Sequence, residues 1–201
     1  MSRTFRPALT FLLAVSALVS GPGGGGVSAR QDLSVFATSS PPCLPDAAPT
    51  PGVAPDGTFK EGAPLRPVLA GPAVAGTRLT LSGTVSGIRC GRISGARVDL
   101  WQPDIRGVYD MTGFGLRGYQ LTDSQGAYRF ETILPGAPNG RAKHLNLRVR
   151  VKGHPDFYTE IYFPGDPANA RDRRFRKELL MQPKQGSGAE QRGVFDVLLD
   201  L

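Results

Sequence analysis

The sequence predicts an all-β fold, an antiparallel β-sandwich preceded by an extended amino-terminal arm. From Arg78 onward, short segments alternate apolar and polar residues and are separated by turn residues. The alternation is clearest from His144 to Val151. Only one run, near Arg173–Leu180, is compatible with a helix, and it is short. With 201 residues and 40% hydrophobic content, we expect one globular core.

The first 29 residues have the pattern of a secretory signal. Arg3 and Arg6 precede an apolar run at 8–19, and a Gly-rich stretch then ends in the small residues 27–29. The run is too short for a bilayer, which needs about 20 apolar residues. We therefore expect an exported protein, secreted or periplasmic, without a membrane anchor.

Residues 30–75 are rich in Pro, Ala, Gly and Ser and show neither a helical nor a strand period, so they predict an extended arm. Cys43 lies in this arm, and Cys90 is the other cysteine of the chain. An even count in an exported chain favours a disulfide, with two buried thiols as the alternative. Neither cysteine has a second Cys or a His at metal-ligand spacing.

The sandwich is expected over residues 76–201. Its first three strands should present these apolar faces to the core: Leu79, Leu81 and Val85; Ala96, Val98 and Leu100; Tyr128, Phe130 and Thr132. Further strands are expected at His144–Val151, Phe157–Phe163 and Val194–Leu199.

The chain carries a net charge of +7, but its Lys and Arg residues are scattered. Residues 171–177 form a basic cluster, which we interpret as a solvated loop or helix face. No aromatic platform or recognition helix accompanies this cluster, so nucleic-acid binding is not expected.

The His144 strand carries the first candidate site. Side chains two positions apart on a strand share a face, roughly 6.5–7 Å apart, so His144 and Asn146 should face a common site while the leucines face the core. A His-x-His strand would be a metal-ligand pair. A single His beside an Asn, taken alone, is more often a hydrogen-bonded residue than a ligand.

Ordered motifs follow one another along roughly 100 residues: Leu81-Ser82-Gly83-Thr84-Val85, Gly95 to Gln102, Gly107-Val108-Tyr109, Leu116 to Asp123, Gly126 with Tyr128 and Phe130, Thr132 to Gly136, Gly140-Arg141 with His144, Tyr162 to Asp166, and Asn169 with Asp172. In this order and spacing, they make the chain similar to one family, the intradiol ring-cleavage dioxygenases.

The resemblance implies a β-sandwich of the intradiol dioxygenase type that uses Fe(III) to insert O2 into catechol-type aromatic compounds. It implies Tyr109 and His144 as metal ligands and Arg141 as the residue that stabilises negative charge on the substrate. The family's second tyrosine and second histidine match Pro138 and Asn146.

These two differences predict weak iron binding by the isolated chain. Proline has no side-chain donor atom, and an asparagine oxygen is a weak, neutral ligand compared with imidazole. Four other side chains are possible substitutes that the sequence does not place: Tyr119, Tyr158, His154 and Asp110.

The alternative function is an iron-free, non-catalytic exported sandwich that binds an aromatic ligand or a partner chain. Some protocatechuate dioxygenases of this family pair a catalytic chain with a similar chain that has lost its ligands. A homo- or hetero-oligomer is therefore a possible assembly.

Overall fold

The computed structural model describes residues 47–89, 91–185 and 190–201, which form two packed β-sheets. The predicted signal segment and the predicted Cys43–Cys90 disulfide lie outside these residues. Among the described residues, no helix is long and apolar enough to cross a membrane.

The strands of the first sheet are β1 (Arg78–Gly87), β2 (Gly91–Arg92), β5 (Ala127–Ile133), β8 (Gln182–Lys184), β9 (Gln191–Val194) and β10 (Val197–Leu199). The long strand β1 pairs with each of the others except β8. It is antiparallel to β5, from Arg78 opposite Ile133 to Thr84 opposite Ala127, and parallel to β9 and β10.

The strands of the second sheet are β3 (Arg97–Trp101), β4 (Arg117–Leu121), β6 (His144–Arg150) and β7 (Phe157–Tyr162). Their order is β4-β3-β6-β7, and all neighbours are antiparallel. The core lies between the two sheets, and the predicted apolar faces are buried there: Leu79, Leu81 and Val85 from β1, Val98 and Leu100 from β3, Leu145, Leu147 and Val149 from β6. The predicted β-sandwich is confirmed.

Two local predictions are wrong. The expected strand Val194–Leu199 is interrupted, since β9 ends at Val194 and β10 begins at Val197. At the break, the carboxylate of Asp196 accepts hydrogen bonds from the backbone N–H and the hydroxyl of Thr84, both at 2.8 Å.

The helix expected at Arg173–Leu180 is reduced to a short 3-10 helix, Lys177–Leu179, and a second 3-10 helix lies before it at Pro167–Arg171. Arg176, just before the later helix, has an extended backbone (φ −134°, ψ 141°). The segment is therefore a loop that carries side chains toward the second sheet.

Part of the arm covers the outer face of the second sheet, the face away from the core. The Val53 N–H donates to the Tyr158 carbonyl at 2.8 Å. Further along, the Phe59 ring meets Trp101 edge-on, with centroids 5.1 Å apart. This face carries the polar residues of β6, so the arm encloses them.

Candidate active site on the outer face of the second sheet

Strand alternation turns His144 and Asn146 to the outer face, where both are buried beneath the arm (0% and 3% exposed). Strand register supplies their neighbours. Asn146 lies opposite Trp101 of β3 and Glu160 of β7, and His144 lies opposite Tyr162. Side chains directly opposite on adjacent strands are close enough to interact. Three strands thus contribute to one polar cluster.

Tyr109 reaches this cluster from the connection between β3 and β4. The carboxylate of Asp110 accepts backbone hydrogen bonds from Gly113 and Gly115, both at 2.7 Å, and these bonds lower its pKa. The buried Arg117 donates to the Asp110 carbonyl at 3.0 Å. The loop is therefore held in place around its aspartate, next to the tyrosine.

The Tyr109 hydroxyl lies 3.2 Å from His144 Nε2 and accepts a hydrogen bond from Asn146 Nδ2 at 2.8 Å. His144 Nδ1 lies 2.9 Å from the Ala142 carbonyl and donates to it, so Nε2 keeps its lone pair. Burial lowers the pKa of His144 and raises the pKa of Tyr109 to about 12. Both groups are therefore neutral near pH 7.

Arg141 enters the same cluster from the turn that precedes β6, where its N–H donates to the Pro138 carbonyl at 2.8 Å. Its guanidinium contacts both Glu160 oxygens, at 3.0 and 2.6 Å, and the Tyr162 hydroxyl at 2.7 Å. Its Nε donates to Asp172 at 3.2 Å. Burial disfavours the charge of Arg141, but the hydrogen bonds and charge of Glu160 raise its pKa.

Pro138 borders the Tyr109 loop without bringing a donor side chain to it. A Cβ added to Gly107 would lie 2.3 Å from the Ala137 carbonyl oxygen and 3.2 Å from Pro138 Cα. Gly107 also has φ +85°, a conformation that side chains rarely adopt. Glycine is required here because the two loops pass so closely.

The structure therefore brings together Tyr109, His144, Asn146 and Arg141 of the residues predicted from sequence. Three of the four proposed substitutes have other surroundings: Tyr119 stacks on Arg97, His154 lines a groove beside residues 198–201, and the carboxylate of Asp110 bonds the backbone of its own loop. Tyr158 meets Phe59 edge-on and lines a small cavity together with Asn146 and Glu160.

Sequence reasoning missed the acidic residues of the cluster. Ligand atoms of Asp56, His144 and Glu160 lie within 4.8 Å of one another. Burial would raise the pKa of Glu160, but the hydrogen bonds from Arg141 and Tyr162 lower it to about 2, so it is ionised. Strand alternation could have placed Glu160 on this face. No local pattern marks Asp56, which lies in the irregular arm.

The interpretation of residues 171–177 as a solvated surface is wrong for two of them. The Asp172 side chain is 2% exposed and binds Arg141, while Arg174 donates to Glu160 and to the Ala54 carbonyl, both at 3.0 Å. These residues were misassigned because their partners are distant in sequence, on β7 and in the arm.

A small cavity lies between the arm and the outer face of the second sheet. It has a volume of about 10 Å³, about that of one water position, and it is lined by residues 53–56 and Arg174 and by the sheet residues Trp101, Asn146, Tyr158, Thr159 and Glu160. This cavity is too small for an aromatic ring.

Comparisons with known proteins identify the family and the fold of this chain. Residues 68–200 match the family model described as Dioxygenase. The dioxygenase domain of a dioxygenase–carbohydrate-binding fusion from Streptomyces sp. SirexAA-E is 39% identical with a TM-score of 0.74, covering 77% of this chain and 99% of that one. An intradiol ring-cleavage dioxygenase from Tetranychus urticae, 22% identical, has a TM-score of 0.70 over 76% of this chain and 94% of that one.

Among sequence relatives, a catechol 1,2-dioxygenase from Pseudomonas sp. (strain EST1001) is 27% identical over 61% of this chain and 50% of its own length. A protocatechuate 3,4-dioxygenase beta chain from Burkholderia cepacia is 31% identical over 50% of this chain and 51% of its own. The chain spans about half the length of these relatives. The family match over most of the sandwich, and the fold it shares with solved dioxygenases, show that this chain belongs to the intradiol ring-cleavage dioxygenase family.

Proposed function

We propose that this chain uses ferric iron to insert both atoms of O2 between the two hydroxylated carbons of a catechol-type aromatic compound. Catechol plus O2 gives a muconate-type dicarboxylic acid, with no other oxidant required. The observation that carries the proposal is the 3.2 Å approach of Tyr109 Oη to His144 Nε2. Two ligands of one ion lie at such a separation when each is about 2 Å from it.

The chemistry of the donors fits a ferric ion. The phenol of Tyr109 and the carboxylates of Asp56 and Glu160 offer hard oxygen donors, and His144 offers the imidazole nitrogen left free by its bond to Ala142. When bound, ferric iron would hold the two catechol oxygens and make the ring electrons available to O2. The protein's own task is to hold these donors and neutralise the charge of the dianionic substrate.

Arg141 is the residue that supplies positive charge beside the ring. Its bonds to Tyr162 and Asp172 hold the guanidinium beside the proposed donors, so positive charge is in place before substrate arrives. Preorganised charge stabilises an anion without the cost of reorienting solvent. Residues 53–56 of the arm cover the side of the cluster formed by Asn146 and Glu160.

The alternative, an iron-free module that binds an aromatic ligand or a partner chain, is favoured by one contact. Arg141 Nη1 lies 3.3 Å from His144 Nε2, so a guanidinium already offers positive charge to the nitrogen that would bind a metal. In this alternative, the cluster is a polar recognition surface and performs no oxidation.

Turnover with chemical identification of the product separates the two functions. The chain is incubated with ferric iron, air and one of four substrates taken from the names of the relatives: catechol, chlorocatechol, hydroxyquinol or protocatechuate. We expect a dicarboxylate product that carries two labelled oxygens when ¹⁸O2 is supplied. Substrate binding without oxygen consumption would support the iron-free module and overturn the proposed activity.

We also propose that the chain is exported and that Cys43 and Cys90 form a disulfide. The support is the charged and then apolar run at residues 3–19 and the even cysteine count. Titration of the unreduced, unfolded protein should find no free thiol. Two reactive thiols would refute the pairing.

A further inference from the structure

The acidic residues of the cluster offer a replacement for the ligands that the sequence lacks. Pro138 has no donor atom, and the side-chain nitrogen of Asn146 is bound to Tyr109. Asp56 and Glu160, in contrast, each have a carboxylate oxygen within 4.8 Å of the His144 ring nitrogen. Glu160 is 1% exposed, so its carboxylate is buried in the cluster.

The side chain of Asp56 has one oxygen available. Its Oδ1 accepts hydrogen bonds from the backbone N–H and the hydroxyl of Thr58, at 3.0 and 2.6 Å. Its Oδ2 faces the cluster, 3.9 Å from Arg141 Nη1. The arm that carries Asp56 is tied down nearby, because Arg174 donates to the Ala54 carbonyl. The arm thus places a carboxylate against the sheet.

The charges of the cluster leave room for a cation. Three carboxylates, those of Asp56, Glu160 and Asp172, meet two guanidinium groups, those of Arg141 and Arg174. With three carboxylates and two guanidinium groups, these five side chains together carry one formal net negative charge. A carboxylate in excess of the ion pairs is a hard oxygen donor that a cation can bind.

We propose, on the basis of the function proposed above, that Asp56 and Glu160 bind the ferric ion in place of the family's second tyrosine and second histidine. The ligand set is then Tyr109, His144, Asp56 and Glu160. One phenolate and two carboxylates supply three negative charges to a trivalent ion. The ligand set therefore differs from that of the family, and one of its members, Asp56, comes from the arm.

The position of Arg141 indicates where the ion binds. Its Nη1 lies between the proposed ligands, 3.3 Å from His144 Nε2, 3.0 Å from Glu160 Oε1 and 3.9 Å from Asp56 Oδ2. A positive group therefore occupies the centre of the donors. When the ion binds, Nη1 has to withdraw, while Nε and Nη2 can keep Asp172 and Tyr162.

Iron affinity of carboxylate variants tests this ligand set. The full chain is titrated with a ferric chelate, and bound iron per chain and the visible tyrosinate-to-iron absorption are both measured. Asp56→Asn and Glu160→Gln should each lower iron affinity more than about 100-fold, because each removes a proposed ligand and the loss of an outer-shell group alone costs about 10- to 100-fold. The iron that remains should keep the tyrosinate colour, because Tyr109 is unchanged.

Two matched controls lie in a different arginine cluster. Glu61→Gln changes an arm carboxylate that contacts Arg148, and Asp99→Asn changes a buried carboxylate that pairs with Arg148. Both should bind iron like the unmodified chain. If Glu160→Gln fails to fold, the iron affinity of Asp56→Asn still tests the ligand set. Asp56 lies in the arm rather than in the sheet, so this variant should fold.

The outcomes separate this proposal from the proposed function. If the unmodified chain binds iron and cleaves catechol but Asp56→Asn and Glu160→Gln bind iron equally well, the ligand assignment is overturned and the activity stands. If the unmodified chain neither binds iron nor cleaves catechol, both proposals fail.

Discussion

Two arginine clusters lie side by side on the outer face of the second sheet, and they differ in what their neighbours can do. Arg141 binds Glu160 and Asp172, and Arg148, two strand positions beyond Asn146, binds Asp99 and Asp156. Each cluster also receives one acid from the arm, Asp56 in the first and Glu61 in the second. In composition, the two are nearly the same.

The difference lies in the groups that complete each cluster. Arg148 is completely buried, and its guanidinium lies 4.1 Å from the centre of the Phe59 ring, a cation–π contact that closes the cluster with an apolar group. Beside Arg141 stand Tyr109 and His144, which offer an ionisable oxygen and a nitrogen lone pair. Buried ion pairs therefore do not indicate a functional site by themselves. In our account, the feature that indicates one is a pair of uncharged donors beside the ion pairs, the phenol of Tyr109 and the imidazole of His144.

The sharpest test of this contrast removes the imidazole. His144→Ala should abolish ring cleavage and lower iron affinity more than about 100-fold, because a ligand matters more than the groups that only orient it. Iron content and oxygen uptake measure both effects. Retained turnover in this variant would place the chemistry elsewhere in the chain.

The converse change tests the second cluster. Among the described residues, Arg148→Met leaves Asp99, 2% exposed, with Arg97 as its one remaining ion-pair partner, and it removes the cation–π contact with Phe59. The free energy of unfolding should fall by about 3 kcal/mol, because removing one partner of a buried ion pair leaves the other charge buried without that partner. Urea unfolding measures this loss, and turnover per folded molecule should be unchanged. If Arg148→Met and the unmodified chain had the same free energy of unfolding, the Arg148 cluster would not contribute to stability.

Removing the charge of Arg141 should separate iron binding from turnover. Arg141→Met takes positive charge from between His144, Glu160 and Asp56, so iron affinity should rise about tenfold. Ring cleavage should be lost, because the guanidinium proposed to stabilise negative charge on the substrate is then absent. Titration with a ferric chelate measures the first effect and oxygen uptake the second. Weaker iron binding in this variant would contradict a metal position between these ligands.

The smallest expected effect is on the acid stability of the Arg148 cluster. The hydrogen bond from Arg148 lowers the pKa of Glu61, and the hydrogen bond from Arg150 lowers the pKa of Asp156. Carboxyl groups with a lowered folded pKa stabilise the protein above the ordinary carboxyl range, and this stabilisation is lost as the pH falls through their folded values. The unmodified chain should therefore lose stability between about pH 5 and about pH 3 more steeply than the double variant Glu61→Gln, Asp156→Asn. The free energy of unfolding in urea is measured at each pH for both proteins. The same pH dependence in the two would contradict the lowered pKa values of Glu61 and Asp156.

The sequence predicted the sandwich and much of the site because both follow from local patterns. Strand alternation places His144 and Asn146 on one face, and the family motifs mark Tyr109 and Arg141. The acids had no such signal. Asp56 meets its partners across the irregular arm, which has no period from which a contact could be inferred.

The expected surface role of residues 171–177 failed for a related reason. A run of charged residues is usually solvated, and nothing local shows that Asp172 and Arg174 turn inward. Their burial depends on pairing with Arg141 and Glu160, which lie on other elements of the fold. Such pairings between distant segments are properties of the tertiary structure.

One comparison tests the central claim most directly: bound iron and the visible spectrum of the ferric-loaded chain beside those of Tyr109→Phe. The unmodified chain should bind one iron and show tyrosinate-to-iron absorption. The variant should lose that absorption and the ability to cleave catechol, because the phenol facing His144 is the tyrosine of the site. An unmodified chain that stays colourless under excess ferric iron, or a Tyr109→Phe variant with unchanged colour, would contradict the account.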